Sequence, residues 1–515
     1  MMMKKAISLL LFVILLLPAA CSVADSSNNM NHDGYSTSYT YGYDYWEDVQ
    51  ESPDAYRVKT VIDSITLGLS DKAGKLNKPQ SLYVRNNDLY IVDTYNNRIL
   101  QIEYQNDEYS LKRIIDHVTG GSPDTFNSPY DVFVDPDDSI YVADYGNNRV
   151  VMMDKDLNWI KEFTKPSDST FDQKLDFLPK KITVDVAGRL YAIVTNVNKG
   201  LVKYEADTTF TGYIGATPVS VSMAEYIWKR YFQTKEQREA STSFVPTEYE
   251  NLYIDKDNFI YTTTTTFSEY DLKWDKAKPI RRLNGLGTDI LIKNDHFPPI
   301  GDLYWLEGDS TYYGPSRLTD ITVLDNDIYV ALDRIRGRLF GYDSQGVMLW
   351  AFGTRGGTDG AFSRAISIEH MGTDLMVLDE TKNSVTVFTP TEYGNTIYRA
   401  TALYQEGEYD QSADEWRNVM KMNANYNLAF RGIGRAILRE DRFEEAMEYF
   451  KLAHDNENYG RAFKLYRKQW VEKNVWWILL ILAAVLIVPL MIGRVKRMKW
   501  EVIMHEHSKV RRNDG

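Results

Sequence analysis

Residues 128–154 read SPYDVFVDPDDSIYVADYGNNRVVMMD. The stretch contains three short runs rich in β-branched and aromatic residues, separated by the turn compositions PDD at 136–138 and YGNN at 145–148. This pattern predicts a small antiparallel meander of three strands. An isolated meander cannot cover both of its faces, so the pattern predicts further copies in the same chain.

The meander recurs about every fifty residues along the chain. YIVDTYNNR at 90–98 aligns with YVADYGNNR at 141–149, and weaker copies follow at 178–204, 249–262, 318–342 and 365–388. With the first copy at 78–103, the repeats number six. They resemble the NHL-repeat family over residues 57–390, and that resemblance implies a six-bladed β-propeller, here predicted for residues 56–390.

Closure of such a disc requires an outer strand for every blade. Outer strands are predicted at 111–115, 159–163, 210–214 and 349–352, but none follows the last triplet at residue 388. The segment VKTVIDSITL at 58–67 precedes the first triplet and has no blade of its own. We therefore expect the amino-terminal segment to complete the last blade, which would remove two open sheet edges.

The amino terminus is typical of an export signal over residues 1–24. Lys4 and Lys5 precede the apolar run 7–17 and the small residues around Cys21, the only cysteine of the chain. Ala19, Ala20 and Cys21 resemble a bacterial lipoprotein box, so the alternatives are lipidation of Cys21 and simple cleavage nearby. Residues 25–55, rich in Ser, Asn, Asp and Tyr, are interpreted as a linker.

The Asp-x-x-Asn-Asn-Arg turns carry recurring Asp93 and Asp144. A paired Asn suits a tight turn that needs positive φ, and an aspartate accepts hydrogen bonds from turn amides. Because residues that repeat in successive blades serve the blade, a structural role is favoured over a metal or catalytic one.

Insertions break the repeat at 221–240, predicted to be helical, and at 284–317. Alternating strand direction places both on the same face of the disc as the Asn-Asn-Arg turns, where loops on a rigid scaffold favour binding. The alternative is that the insertions only cap the disc. The candidate binding residues on this face are Tyr95, Arg98, Tyr145, Arg149, Trp228, Phe297, Tyr304, Trp305, Tyr312, Arg334 and Arg336, with Arg338 beside them.

After residue 390 the pattern becomes helical. Residues 404–420 align with 438–453 at a shift of 34, with helix pairs predicted at 397–406/410–422 and 427–439/442–454. This region, 395–472, resembles tetratricopeptide repeats, which implies binding of a peptide or a partner protein.

Residues 475–493 form an uncharged run of 19 residues followed by a basic tail at 494–515. The run suits a transmembrane helix, and the positive-inside rule predicts a cytoplasmic tail with the propeller and helical repeats outside. The tail has a net charge of +4, Lys4 and Lys5 add +2, and the remainder of a chain with overall charge −13 therefore carries −19. Nucleic-acid binding by the ectodomain is disfavoured.

An enzymatic role is the alternative to binding. Related propellers such as lactonases and lyases use a metal in the central channel, but the seven histidines are scattered and no metal-ligand spacing is found within the propeller. Glu250, Asp320 and Glu369 lie near inner strands and are the candidates for a carboxylate cluster.

The sequence thus predicts a bacterial, single-pass, extracytoplasmic binding or scaffold protein without a cofactor. Its expected partners are other membrane or extracytoplasmic proteins, including a transport system, with a carbohydrate or peptide as ligand. A metal-dependent lactonase-like or lyase-like propeller remains the rival prediction.

Overall fold

The structure, a computed structural model, describes residues 39–44, 46, 48–69, 74–216, 249–274, 276–293, 298–303 and 314–513. The strands of the amino-terminal segment and the first three blades are β1 (Thr40–Tyr43), β2 (Val49–Glu51), β3 (Tyr56–Ile62), β4 (Ser81–Arg85), β5 (Asp88–Asp93), β6 (Arg98–Gln105), β7 (Glu108–Ile115), β8 (Pro129–Val134), β9 (Ile140–Asp144), β10 (Arg149–Met153), β11 (Trp159–Phe163), β12 (Pro179–Val184), β13 (Leu190–Val194), β14 (Leu201–Tyr204) and β15 (Phe210–Ile214). The later strands are β16 (Asn251–Ile254), β17 (Ile260–Thr263), β18 (Ile280–Leu283), β19 (Leu318–Val323), β20 (Tyr329–Asp333), β21 (Arg338–Tyr342), β22 (Met348–Phe352), β23 (Thr354–Arg355), β24 (Ala361–Phe362), β25 (Ala365–Met371), β26 (Asp374–Asp379) and β27 (Ser384–Pro390).

Six antiparallel sheets form the blades of a propeller, which confirms the predicted fold class. Blades 1 to 3 each contain four strands in chain order, β4 to β7, β8 to β11 and β12 to β15. Blade 4 contains β16, β17 and β18 in the described residues, and β19 to β22 begin blade 5. Blade 6 contains β25, β26 and β27.

The amino-terminal segment closes the disc. Strand β3 pairs antiparallel with β27, from Val385 opposite Ile62 to Pro390 opposite Tyr56. The expectation that the amino end supplies the missing outer strand is therefore confirmed. Because the last blade combines the two ends of the propeller sequence, the fold cannot open at this blade without breaking a full strand ladder.

The prediction that all of residues 25–55 form a linker is wrong for its second half. Strand β1 pairs with β22, with Thr40 opposite Phe352, and β2 pairs with β1, so blade 5 has six strands. The buried aromatic Tyr41 lies in the core beside Phe340 and Tyr342. The low aliphatic content of this segment suggested a tether. Strand pairing with β22 and the burial of Tyr41 instead hold it on blade 5.

The core lies between neighbouring blades. Middle strands such as β5 and β9 are buried on both faces because each blade packs against two others. Outer strand β7 alternates exposed and partly buried residues, since only one of its faces contacts the next blade. Apolar side chains of blades 1 and 6 share one cluster, and those of blades 1 and 2 share another.

The helices are α1 (Glu269–Lys273), α2 (Glu392–Glu406), α3 (Tyr409–Met422), α4 (Asn427–Arg439), α5 (Phe443–Leu452) and α6 (Asn456–Asn513). The chain divides into two compact units, one containing Met1–Glu406 with Asn418–Tyr426 and the other Gly407–Arg417 with Asn427–Gly515. In the first unit, Thr401 of α2 accepts a hydrogen bond from Asn326 Nδ2 at 2.8 Å.

Two glycines of α4 allow close packing in the second unit. A Cβ added to Gly432 would lie 2.5 Å from the Trp416 ring, and one added to Gly434 would lie 2.7 Å from the Phe450 ring. Helices occur at the positions of both predicted pairs. The resemblance to tetratricopeptide repeats stays a prediction.

Helix α6 contains the predicted apolar run. Among the described residues, Asn456–Met504 is the one helix long and apolar enough to cross a membrane, and its apolar window is not buried by the rest of the protein. Pro489 lies inside it. A single membrane-spanning helix is thus a candidate by length and composition, and its orientation stays a prediction.

Candidate functional site: the central channel

Each blade contributes one polar residue at the same register of its innermost strand. In every case this residue lies opposite a residue near the end of the second strand. Asp131, for example, is opposite Ala143, and Asp320 is opposite Leu332. The six members, called the polar ring below, are Ser81, Asp131, Lys181, Asn251, Asp320 and Ser367.

The polar ring links successive blades through their backbones. Asp131 accepts the Ile182 N–H at 2.8 Å, and Asp320 accepts the Ile368 N–H at 2.8 Å. Ser367 Oγ accepts the N–H of Leu82 at 3.2 Å, which links blade 6 to blade 1. These hydrogen bonds satisfy amides on strand edges that face the channel.

Lys181 is the cation of the polar ring. Its Nζ donates to Ser81 Oγ at 2.7 Å and lies 3.5 Å from Asp131 Oδ1, and Ser81 Oγ donates to the same carboxylate at 2.6 Å. Burial lowers the pKa of Lys181, but the charges of Asp131, Asp320 and Glu369 outweigh it and leave this pKa raised. The lysine is therefore charged and compensates Asp131.

Two carboxyl groups on the opposite side of the channel have raised pKa values. Burial raises the pKa of Asp320 to about 6, against the opposing effects of Lys181 and of the N–H donors. Burial, followed by the charge of Asp320, raises the pKa of Glu369 well above its usual range. Burial thus favours the neutral form of the Glu369 carboxyl group, which can donate a hydrogen bond when it is protonated.

His370 stands next to Glu369 in the same channel. Burial lowers the pKa of His370 to about 4, and its Nδ1 is 2.7 Å from Thr322 Oγ1. The imidazole is therefore neutral at physiological pH.

Five of the six polar-ring residues, all except Ser81, line a cavity of about 420 Å³. Beyond the ring, the wall includes the aromatic side chains of Tyr83, Phe133 and Tyr253, and it continues to Asn86 and Gly372 in the hairpins between first and second strands. Those hairpins lie on the face opposite the Asp turns, because alternate connections of an antiparallel blade lie at opposite ends. A cavity of this size and polarity suits a small ligand.

The candidate binding arginines of the Asp-turn face are buried instead of exposed. Arg98 is 6% exposed and donates to Asp93 at 2.8 Å, and Arg149 is 2% exposed and donates to Asp144 at 3.0 Å. Asn148, at φ 59°, allows the chain to turn directly after this aspartate. The expectation that these arginines bind a ligand at the surface is wrong, because each is consumed by its own turn.

The structural interpretation of the turn aspartates agrees with this geometry. Besides Arg98, Asp93 accepts the Asn77 N–H at 2.8 Å and the Asn96 side chain at 2.8 Å. Burial raises the pKa of Asp144, and the hydrogen bonds of its turn counteract that effect. Each aspartate ties the loop from the preceding blade to its own turn.

The blade 5 arginines are also tied to carboxylates. Arg336 is buried, with its guanidinium 3.2 Å from Asp333 and 3.4 Å from Asp302, and Arg338 donates to Asp302 at 2.6 Å. Arg334 is partly exposed and lies 3.4 Å from Glu250. Arg336 is thus no surface binding residue, contrary to expectation.

The two candidate tyrosines of this face differ in exposure. Tyr95 is 57% exposed and Lys78 Nζ lies 5.2 Å above its ring. Tyr145 is half-buried and packs against Tyr130, with the two rings tilted by 37° and their centroids 4.7 Å apart. Both are near the surface of the disc, but neither lines the central cavity.

The remaining candidates, Trp228, Phe297, Tyr304, Trp305, Tyr312 and Cys21, lie outside the described residues. Of the three candidate carboxylates, Asp320 and Glu369 meet in the channel, whereas Glu250 lies 3.3 Å from Lys180 and is absent from the cavity wall. Of the residues described in the channel, sequence reasoning missed Arg85, His370 and every polar-ring residue except Asp320, namely Ser81, Asp131, Lys181, Asn251 and Ser367. In each of the six first strands the polar-ring residue directly precedes an apolar residue, but this pattern alone does not show that the six side chains meet in one channel.

The channel residues do not fit a resident metal ion. Asp131 and Asp320 already accept hydrogen bonds at both oxygens, and Lys181 supplies the positive charge between them. Within the described ranges, no three or more His, Cys, Asp or Glu side chains are grouped as a metal site.

Comparison with known proteins agrees with the repeat pattern. Residues 126–151 match the family model described as NHL repeat. The chain carries an NHL repeat in a six-bladed β-propeller. Among curated protein sequences no match is found.

Several solved structures resemble this NHL-repeat chain at low identity. Virginiamycin B lyase from Staphylococcus aureus is 12% identical with a TM-score of 0.36, covering 65% of this chain and 99% of the lyase. A protein of unknown function from Bacteroides thetaiotaomicron is 12% identical with a TM-score of 0.37, covering 61% and 70%. A gluconolactonase-like protein is 9% identical with a TM-score of 0.39, covering 69% and 98%. At these values the likenesses carry no argument about activity.

Proposed function

We propose that this protein is a membrane-anchored binding protein whose propeller holds a small ligand in its central channel. The observation that carries the proposal is the axial cavity of about 420 Å³, lined by polar and aromatic side chains of the innermost strands. Pockets of a few hundred Å³ with few polar groups on rigid elements are typical ligand sites. The ligand classes that suit such a wall are carbohydrates and short peptides.

The rigidity of the wall supports binding. Polar-ring residues are fixed by hydrogen bonds between blades, as in the contacts of Asp131 with Ile182 and of Asp320 with Ile368. Preformed walls lose little conformational entropy when a ligand enters. The scaffold therefore favours recognition without a large rearrangement.

The test is thermal unfolding of the full-length protein in detergent micelles against a panel of sugars, sugar acids and peptides. A ligand at roughly 100 times its dissociation constant stabilises the folded state by about 2.7 kcal/mol. Met371→Trp adds side-chain volume at the cavity wall and is expected to abolish the shift. Tyr95→Ala, on the Asp-turn face, is the matched control and should leave it unchanged. A shift lost with Tyr95→Ala and retained with Met371→Trp would place the ligand on the other face and refute the channel site.

We further propose that the propeller is extracytoplasmic and that the basic tail is cytoplasmic. The candidate span in α6 and the tail net charge of +4 support this orientation. With Cys21→Ser as background, single cysteines are placed at exposed positions, Asn87→Cys in the propeller and Lys499→Cys after the apolar run. A membrane-impermeant maleimide should label only the propeller cysteine on intact cells. Labelling of Lys499→Cys alone would reverse the proposed topology.

A role beside a membrane transport system is proposed for the anchored protein. The helices α2 to α5 supply surfaces next to the membrane segment in sequence, and such helical repeats bind partner proteins. Cross-linking in intact membranes followed by purification should recover a transporter component. Recovery of none would contradict the accessory role while leaving ligand binding untouched.

An enzyme of the lactonase or lyase type is the second candidate. The observation in its favour is that Glu369 and His370 both line one cavity, where burial raises the pKa of the first and lowers that of the second, since perturbed acid and base groups cluster at active sites. Turnover of a lactone or ester panel that is lost in Glu369→Gln would support this candidate. Activity equal to buffer alone would reject it.

A further inference from the structure

Arg85, at the end of β4, is the unpaired cation of the channel wall. Its side chain lines the cavity and is half-buried, and its Nε is completely buried. In the part of the chain that the structure describes, no hydrogen bond or ion pair of the Arg85 side chain is found, and Nε is without an acceptor. A partly desolvated guanidinium without a carboxylate is unfavourable unless another group compensates it.

Other arginines of the propeller are paired with carboxylates. Arg98 and Arg149 each contact a turn aspartate, and Arg338 contacts Asp302. Arg282 lies 2.7 Å from Asp255. Arg85 differs from them by facing an open cavity with its donors unused.

Donors and acceptors are also available deeper in the channel. Asn251 is 4% exposed and donates to Asp320 through Nδ2, whereas its Oδ1 is buried with no partner in the described ranges. Glu369, two residues after Ser367 on β25, also lines the cavity, and burial raises the pKa of its carboxyl group. Asn251 Oδ1 and the Glu369 carboxyl group thus offer polar contacts on the wall for ligand hydroxyl groups, which both donate and accept.

The remaining charges of the cavity leave Arg85 available. Lys181 and Asp131 compensate each other, and Asp320 is shared among Asn251 and two backbone amides. Asp325 also borders the cavity, but it is exposed to solvent in the hairpin of blade 5. Neither carboxylate of the polar ring is paired with Arg85.

We propose that the channel takes a small hydroxylated organic anion whose carboxylate or phosphate pairs with Arg85 while its hydroxyls contact Asn251 and Glu369. This inference rests on the proposed channel site and specifies its ligand class. The guanidinium fork binds both oxyanions through two parallel hydrogen bonds. A cavity of about 420 Å³ accommodates a sugar acid or a sugar phosphate of one or two rings.

The test is calorimetric titration of the full-length protein in micelles with glucuronate, glucose 6-phosphate and neutral glucose. One charge-assisted pair should make the two anions bind roughly 10- to 100-fold more tightly than glucose. The variants are Arg85→Leu and Arg85→Lys, with Arg57→Ala, an exposed arginine of β3, as the matched control. Comparison of the two anions distinguishes a carboxylate ligand from a phosphate ligand.

Arg85→Leu is expected to remove the preference for anions, Arg85→Lys to weaken it, and Arg57→Ala to leave it intact. Because Arg85 has no partner to lose, the unliganded Arg85→Leu protein should unfold at the wild-type temperature or above it. If glucose binds as tightly as the anions and Met371→Trp abolishes that binding, the proposal of an anionic ligand is refuted while the channel remains the binding site. No saturable binding of either anion up to about 10 mM would overturn the inference as well, and absence of any channel ligand in the wider panel would also refute the proposed function.

Discussion

Removal of the Asp131 carboxylate should destabilise the propeller more than any single change on its surface. Asp131 holds three donors at once: the Ser81 hydroxyl at 2.6 Å, the Ile182 N–H at 2.8 Å and the Lys181 ammonium at 3.5 Å. In Asp131→Ala the lysine keeps its charge at a site that is almost fully buried and loses its nearest counterion. Breaking a buried pair from one side costs about 3–5 kcal/mol, a value that already includes much of the penalty for unsatisfied donors.

A loss of about 4 kcal/mol is a large share of the 5–15 kcal/mol that stabilises a typical domain. At a urea slope of about 3 kcal/mol/M it lowers the unfolding midpoint by roughly 1.3 M. The assay is urea unfolding of the full-length protein in micelles, followed by near-ultraviolet circular dichroism of the propeller aromatics.

Two further variants separate the charge from the hydrogen bonds. Asp131→Asn keeps an acceptor for the Ile182 N–H and should cost less than Asp131→Ala. The double variant Asp131→Ala with Lys181→Met removes both charges and should recover part of the loss. A midpoint for Asp131→Ala within about 0.3 M of wild type, or a double variant no more stable than the single one, would refute the role assigned to this pair.

Other predictions concern the channel, the clasp and the turns. Glu369→Gln should change the free energy of unfolding at pH 7 by less than about 1 kcal/mol, because burial favours the neutral carboxyl group, which the amide resembles. A large loss would show that the carboxyl group is ionised in the folded protein. Burial raises the folded-state pKa of Asp320 to about 6, above the unfolded value of about 3.9. Its contribution to stability is therefore present below about pH 4 and is lost, by about 3 kcal/mol, as the pH rises to about 6. The urea midpoints of wild type and Asp320→Asn should diverge across that window, and parallel pH curves would contradict the shift. Gly394→Ala should lower the thermal midpoint, because the new Cβ would lie 2.1 Å from the Ala55 carbonyl oxygen. Gly460→Ala, a change in open space on α6, is the control and should not lower it. Equal effects of the two variants would argue against the contact. Asn148→Val should cost about 1–2 kcal/mol at φ 59° and Asn148→Gly little, measured by the same unfolding assay; the reverse order would argue against the left-handed turn.

The repeat could be predicted from the sequence because the three inner strands of a blade are consecutive in the chain. Three strands with their turns occupy about 25 consecutive residues, so alternation and turn residues such as Asn97 and Asn148 determine them without distant partners. The outer strand β3 was also predictable, since a closed propeller leaves one blade short and one strand spare. The apolar run in α6 needed only length and composition to be recognised as a candidate span.

The tertiary structure decided which polar residues are available to a ligand. Arg98 and Arg149 resemble exposed loop cations in sequence, but the loop of the preceding blade covers them and an aspartate neutralises each. Strands β1 and β2 show the same dependence, since their tyrosines find a core only on the edge of blade 5.

The polar ring and Arg85 lie outside the reach of local reasoning for a physical reason. Ser81, Lys181 and Ser367 are separated by 100 residues or more, and only closure of six blades around an axis brings them to one channel. The sequence therefore determined the blades, their number and the clasp, because these depend on short-range periodicity. The chemistry of the channel depends on contacts between blades, and burial at those contacts sets which charges are paired and which remains free.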